Sequence, residues 1–420
     1  MGRTNRHVSP PKQAHPERES SRRVARAGVT TARRTDPETE FRRLRKDFPT
    51  LAKSTHFISH SLGAMPQGAF DRLHQFADMW VEKSIEAWWD WLPMVTQAGD
   101  EIGRIIGAPP GTVAMHQNVS TWMGIIASCL KYPPERNKVV YTDMNFPSVH
   151  YVWKEQERLG AKVEIVKSDD GISIDTGKFI KAIDDRTAAV VIELVLFRSG
   201  FIQDAKAICK AAHEKGAVAI IDAYQAVGTV PVDVVDMDCD FLTGGSVKWL
   251  CGGPGAGYCY VRKDFIPKME PYLCGWFSHA QPFGFVFDRI DYRPDVMRFV
   301  GGTPSIPAIY SSGAGRKYAL GLGVERIRAK SVRQTTKIIE MADELGLTVH
   351  SPRDPRQRGG MVCVDFPGAE EAHHELLKRR FLIDYRPRCG IRMSPHFYIV
   401  DSEIDAIMEE IARLKKKHES

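Results

Sequence analysis

Lys248 sits in the stretch "GGSVKWLCGGPGAG" (Gly244–Gly257), a single amine among six glycines and a proline. Glycine lets backbone approach a ligand or another element at close range. A lysine held there is either a solvated loop residue or a desolvated amine, and a desolvated amine is a nucleophile and proton carrier near neutral pH. Twenty-six residues upstream the run "IIDAYQAVG" reaches Asp222, with Gln225 three positions on. Alone, Asp222 reads as a helix N-cap. Together, an acid and an amine at neighbouring strand ends can face each other across a flat ligand.

Two further stretches supply what such a ligand needs. "MHQNVSTWMG" puts Val119 and Ser120 at a predicted helix start, where free N–H groups and a hydroxyl suit an anion. "DMNFPSVHY" puts Phe146 directly after the strand-like "KVVYT", in position to lie over a ring. Singly, these read as an ordinary cap and a core aromatic. As a set they match the parts list of pyridoxal 5'-phosphate: a Schiff-base lysine, an acid for the pyridinium nitrogen, an anion site and a stacking plate.

The elements that must position these residues are legible between about 110 and 262. β-rich runs occur at 138–142, 162–166, 188–195, 217–222, 240–244 and 257–261, and helix-like segments at 119–130 and 204–215. Such alternation argues for an α/β fold, a largely parallel sheet covered by helices on both faces. In these sheets ligands bind outside the carboxyl ends of the strands, where Asp222 and Lys248 fall. "GGPGAG" is no dinucleotide fingerprint, since it follows a lysine and leads into a strand. After about residue 310 the pattern changes to a smaller α+β domain. The expected organisation is a basic tail over 1–36, a segment over 37–70 packing on the small domain, a large domain over 71–310 and the small domain over 311–420.

The net charge of +6 resides in residues 1–36, where nine basic residues stand against three acidic ones. The body is neutral, so no nucleic-acid surface is expected. The tail has no apolar run and reads as disordered; a transit peptide or a misplaced start codon are its alternatives. No run of about 18 apolar residues suggests a membrane span. The eight cysteines form no C-x-x-C pair, which points to reduced core thiols, no zinc site and a cytoplasmic protein.

The chain resembles the fold-type I pyridoxal-phosphate enzymes of the class V aminotransferase group, and within it the kynureninases, from about Phe57 to Ile411. The motifs are "FISHSLGAMP", "NVST", "FPSVHY", "DAYQAVGTVPVD", "GGSVKWLCGGPGAG", "CGWFSH", "FVGGTPS", "RGGMVCV" and "GIRMSPHFY". The resemblance implies a mostly parallel seven-stranded sheet with a smaller C-terminal domain, and an amino-acid substrate. It implies Lys248 as the Schiff-base lysine and Val119, Ser120, Phe146, Asp222 and Gln225 at the cofactor. Arg392 would meet the substrate carboxylate. Trp276 and Thr303 would reach a neighbouring subunit's cofactor in a homodimer with active sites at its interface.

Three positions depart from kynureninases: Val247 replaces the tyrosine before the lysine, Gln225 the histidine after the aspartate, and His60 the asparagine of the opening motif. The reaction therefore stays open between hydrolysis of kynurenine to anthranilate and alanine, transamination, and desulfurase-like or other β-lyase chemistry. A non-catalytic cofactor-binding regulator is a remote alternative. His60, His279 and His396 are candidates for the missing proton donor, or structural histidines. Cys389, between Arg386 and Arg392, reads as a structural thiol unless its pKa is depressed. Trp88, Trp89, Trp91, Trp276 and Phe277 could line an aryl pocket, although "AWWDWL" has the pattern of an amphipathic helix.

Overall fold

The computed structural model describes residues 37–419, so the expectations for residues 1–36 lie outside the described residues. The strand Thr187–Glu193 is buried at every position. Both of its faces are covered, as expected of a strand inside a parallel sheet. Ala189 and Val191 pack with Val139, Tyr141 and Ile220 on one face, Val190 and Ile192 with Val140, Ile221 and Leu242 on the other. The helices Val119–Ser128 and Pro147–Glu155 cover the first face through Trp122, Ile126, Val149 and Trp153. Trp88–Ile105 and Ala205–Glu214 cover the second through Val95, Ile102, Ile208 and Ala212.

The sheet has seven strands, in the order Val113–His116, Gly257–Val261, Phe241–Gly245, Val218–Asp222, Thr187–Glu193, Lys138–Thr142 and Lys162–Val166. Gly257–Val261 runs antiparallel to both neighbours, and the other adjacent pairs are parallel. This is the mostly parallel fold-type I sheet anticipated from the sequence. Its register puts Glu193 beside Asp222, Asp222 beside Thr243, and Gly245 opposite Gly257. The segments carrying Asn118, Phe146, Phe197 and Lys248 all follow strands that end at this edge.

Toward the C-terminus a four-stranded antiparallel sheet runs Asp384–Arg386, Gly390–Met393, Val362–Asp365, Thr348–Val349. Helices Val324–Glu344, Ala369–Lys378 and Asp401–Glu419 pack on it through Ile338, Ala372, Leu376, Ile404 and Ile407. The N-terminal Phe41, Phe48 and Phe57 enter this same core. Thr55–His56 pairs in parallel with Phe381–Leu382, and Arg45 forms a 2.7 Å ion pair with Glu403. Burial of each of these phenylalanines is worth roughly 2–3 kcal/mol, which fastens the opening segment to the C-terminal sheet.

Candidate active site

Lys248 follows the end of strand Phe241–Gly245 on a turn that two close approaches define. A Cβ on Gly245 would lie 2.3 Å from the Tyr224 hydroxyl, and a Cβ on Gly63 would lie 2.1 Å from the Lys248 carbonyl. The Gly63 N–H also donates to the Val247 carbonyl at 2.9 Å. The "SLG" opening and the lysine turn are thus interlocked, and each needs glycine for lack of space. Lys248 Nζ lies 4.7 Å from the centroid of the Tyr224 ring and 5.5 Å from that of Phe146. Among the described residues no carboxylate or carbonyl accepts a hydrogen bond from it.

Burial draws the Lys248 ammonium down to about 8, while the charges of Asp222 and Glu193 pull it back up. An amine so placed is partly unprotonated near neutral pH. Asp222 accepts from the Tyr224 N–H at 2.9 Å through one oxygen, and no protein donor among the described residues reaches the other. Burial pushes its carboxyl up to about 6 against the pull of that N–H and of Lys248. An unpaired buried carboxylate is costly, and a cationic ring nitrogen is the kind of partner that would relieve it.

Glu193 is a second buried carboxyl at this edge, absent from the residues singled out by motif. Its oxygens accept from the Phe146 N–H at 2.6 Å and the Phe197 N–H at 2.9 Å. It holds both aromatic loops, whose rings meet edge to face at 5.2 Å. Burial and Asp222 push its carboxyl well above the ordinary range. The signal was present, as a lone acid in the apolar run "AAVVIELV", but only the strand register gives it a purpose.

Asn118 caps the helix Val119–Ser128, accepting from the Thr121 N–H at 3.0 Å. The N–H groups of Val119 and Ser120 lie in the first turn, where no helical carbonyl serves them. The Ser120 side chain is exposed and makes no hydrogen bond to protein among the described residues. Phe146 is 38% exposed, leaving part of its ring free to stack. Amine, half-paired acid, open helix end and ring therefore fit pyridoxal phosphate.

Arg392 reaches the site from strand Gly390–Met393. Its Nε donates to Asp384 at 2.8 Å and its Nη1 to the Phe197 carbonyl at 2.8 Å. Asp384 also accepts from His60 Nε2 at 2.9 Å and lies 3.2 Å from Arg386. Like Glu193, Asp384 was not singled out by motif.

Other expected site residues lie elsewhere or are otherwise engaged. Gln225, anticipated at the cofactor, donates to the His60 carbonyl at 3.0 Å and accepts from Trp249 Nε1 at 3.1 Å, so its amide is committed to the protein. Trp276 and Thr303 are exposed and line two adjoining surface cavities of about 460 and 400 Å³, with Ile85 and Trp88 common to both. Trp89 and Phe277 share the cavity of Trp276, and Trp91, although largely buried, lines that of Thr303. His396 Nε2 donates to the Trp249 carbonyl at 2.8 Å, which requires a proton on Nε2. Burial lowers it to about 3. His279 Nδ1 accepts from the Gln281 N–H at 2.9 Å, on the segment bearing Trp276. Cys389 Sγ lies 2.6 Å from the Arg198 carbonyl and 4.0 Å from Cys363 Sγ. Cys363, with Arg392 and Arg198, pulls its pKa down against burial, but the carbonyl contact calls for a protonated thiol, and the residue is 1% exposed.

A buried lysine opposite a half-paired aspartate at the carboxyl edge of a fold-type I sheet defines a class of cofactor-dependent enzyme scaffold. Residues 86–384 match the aminotransferase class-V family, and the chain belongs to that family. An uncharacterized aminotransferase, YcbU, of Bacillus subtilis (strain 168) is 30% identical over 88% of this chain and 96% of its own length. A kynureninase of Geobacillus thermodenitrificans (strain NG80-2) is 27% identical over 87% of this chain and 89% of its own. Among solved structures, the apo cysteine desulfurase of Thermococcus onnurineus NA1 superposes with a TM-score of 0.79 at 22% identity, covering 89% of this chain and 98% of its own. The family's cofactor is pyridoxal phosphate. Among the described residues no helix is long and apolar enough to cross a membrane.

Proposed function

We propose that this protein is a pyridoxal-phosphate enzyme that acts on an α-amino acid and hydrolyses a Cβ–Cγ bond of the kynurenine type. The observation that carries the reading is Lys248, an amine without a hydrogen-bond partner among the described residues, facing the half-paired Asp222. When bound, pyridoxal phosphate supplies an electron sink that weakens the bonds at the substrate Cα. Lys248 would hold the cofactor covalently and would take and return the substrate Cα proton, a task suited to an amine drawn down to about 8. Asp222 keeps the ring nitrogen protonated, and Phe146 fixes the ring plane. Val119 and Ser120 receive the phosphate, and Arg392 receives the substrate carboxylate.

The hydrolytic branch is supported by the "SLG" and "GIRMSP" motifs and by kynureninases at 26–28% identity over 82–87% of the chain. A second reading, transamination or β-elimination, is favoured by Val247, whose side chain has no proton to offer the γ-carbonyl. It is also favoured by His60, whose Nε2–H is already given to Asp384. Incubation with kynurenine, 3-hydroxykynurenine, alanine and cysteine, followed by mass analysis of the products, separates the branches. Anthranilate or its hydroxy analogue with alanine is the expected result. No anthranilate from kynurenine, with ready turnover of another amino acid, would overturn the branch and leave the cofactor reading standing.

The same reading takes the active form to be a homodimer. Trp80, Trp89, Phe283 and Phe287 are 61%, 79%, 68% and 92% exposed, an apolar face suited to a second copy of the chain. In that arrangement Trp276 and Thr303 serve the neighbour's cofactor. A monomer in sedimentation at micromolar concentration that keeps full activity would refute it.

A further inference from the structure

Arg392 has five N–H donors, and the fold engages three of them. Nε and Nη2 both donate to Asp384, and one N–H of Nη1 donates to the Phe197 carbonyl. One donor remains on each terminal nitrogen, enough for a second planar carboxylate. Around Asp384 the charges are two guanidiniums, Arg392 and Arg386, and one carboxylate. The net charge is +1, which leaves room for one more anion.

Asp384 is itself held from behind. His60 Nε2 lies 2.9 Å from one of its oxygens, and His60 Nδ1 lies 2.8 Å from the Ser394 hydroxyl. The Ser394 hydroxyl also lies 2.8 Å from the Phe57 carbonyl, so its one proton has two acceptors, that oxygen and Nδ1. A carboxylate accepts only, so Nε2 carries a proton, and a neutral ring is then the Nε2–H tautomer with Nδ1 accepting. Burial and the nearby Arg392 lower His60 to about 4, which agrees. Ser394, His60 and Asp384 thus follow the order of a hydrolytic triad without being one. Ser394 is completely buried, and its hydroxyl also accepts from the His60 backbone N–H at 3.1 Å.

We infer that Asp384, locked by His60 and Ser394, is a positioning residue that turns Arg392 so that its two remaining N–H donors face the substrate, making an α-carboxylate a requirement for tight binding. The inference rests on the proposed amino-acid site. A chain with Arg392 but no Asp384 would keep the charge and lose the orientation.

The test uses the cofactor-loaded enzyme and two pairs of probes, L-alanine and L-kynurenine, each beside its own α-carboxamide. Binding is followed by the change in the cofactor's near-visible absorption, and KM and kcat are measured in parallel. Wild type should prefer each acid to its amide. In Asp384→Asn, affinity for the acids should fall about 10- to 100-fold, as expected for a misdirected charged hydrogen-bond pair, with amide binding and kcat little changed. His60→Ala should show a smaller loss of the same kind, and His60→Gln, which keeps a donor, should recover part of it. If Asp384→Asn does not fold, the His60 pair carries the test. Unchanged preference for acid over amide in the folded variants, or equal loss of both probes, would overturn the inference. If neither amino acid perturbs the wild-type cofactor, the proposed amino-acid site fails and the inference with it.

Discussion

Asp222 and Asp384 are both buried carboxylates, and their surroundings differ in one respect. Asp222 has a single N–H on one oxygen and is pushed up to about 6 by burial. Asp384 takes donors from His60 and Arg392 and lies beside Arg386, and these hold its carboxyl well below the usual range despite burial. The bases repeat the contrast. Among the described residues Lys248 makes ring contacts and no hydrogen bond, while Arg392 donates to a carboxylate and a carbonyl. At Asp384 both carboxylate oxygens are met and one positive charge is left over, whereas at the carboxyl edge of the large sheet one Asp222 oxygen and the Lys248 amine are left unmet among the described residues. A folded protein tolerates such imbalance where a ligand supplies the missing partner.

The largest effect should come from the incomplete region. Lys248→Ala should abolish the near-visible band of covalently held cofactor and cut turnover by about 10⁴-fold or more, because one amine serves as both tether and proton carrier. Pyridoxal phosphate can still bind without the covalent link, so absorbance and single-turnover rates should be read together. A variant that keeps both band and turnover would remove Lys248 from the centre of the site.

Around Asp384 the first effect should be on folding. Arg392→Ala leaves Asp384 without its main cation, and breaking a buried pair in this way costs about 3–5 kcal/mol. Urea denaturation of the folded variant should show that loss, alongside an increase of about 10- to 100-fold in KM for an amino acid. A variant as stable as wild type would mean that Asp384 is balanced by His60 and Arg386 alone.

The two aspartates should respond to neutralisation with opposite signs. Asp222 has a folded pKa of about 6 against an ordinary 3.8, so the cofactor-free fold binds the extra proton. Its contribution to stability falls as pH rises from about 4 to 6 and is unfavourable above that window. Asp222→Asn should therefore stabilise the cofactor-free protein at pH 7 by roughly 2–3 kcal/mol while weakening cofactor binding. Asp384 has a depressed pKa, so its contribution is present above its unfolded value and is lost as pH falls through the folded one. Asp384→Asn should accordingly destabilise. Parallel urea curves for the two cofactor-free variants, at pH 5 and 7, check the signs. A shift in the same direction for both at pH 7 would dissolve the contrast.

The strands were the most legible part of the chain. "KVVYT" and "GYCYV" form strands with the expected bounds, Lys138–Thr142 and Gly257–Val261, because short apolar runs between turn residues leave little choice. Lys248 and Asp222 were legible as a pair, since their spacing matched a cofactor with fixed needs. Glu193 was not, because its purpose depends on N–H groups of loops that follow two different strands. The pairing of His60 with Asp384 joins residues 324 positions apart, beyond any local pattern. Sequence also names a residue without naming its rotamer, and Gln225 is the case in point.

Gln225 should give the smallest effect, and it tests which region the residue serves. Its position three residues after Asp222 suggested a contact with the cofactor. Its amide instead bridges the His60 carbonyl and Trp249 Nε1, tying the opening segment to the lysine turn. Gln225→Met keeps the side chain's length and removes both bonds. Two buried polar groups then lose their partner, at a cost of about 1–3 kcal/mol of stability. Cofactor affinity should change by less than about threefold, under 1 kcal/mol, because no bond to the ring is lost. Equilibrium dialysis of pyridoxal phosphate together with a urea curve separates the two roles. Unchanged stability with cofactor bound ten times more weakly would return Gln225 to the cofactor and show that its amide turns when the ring is present.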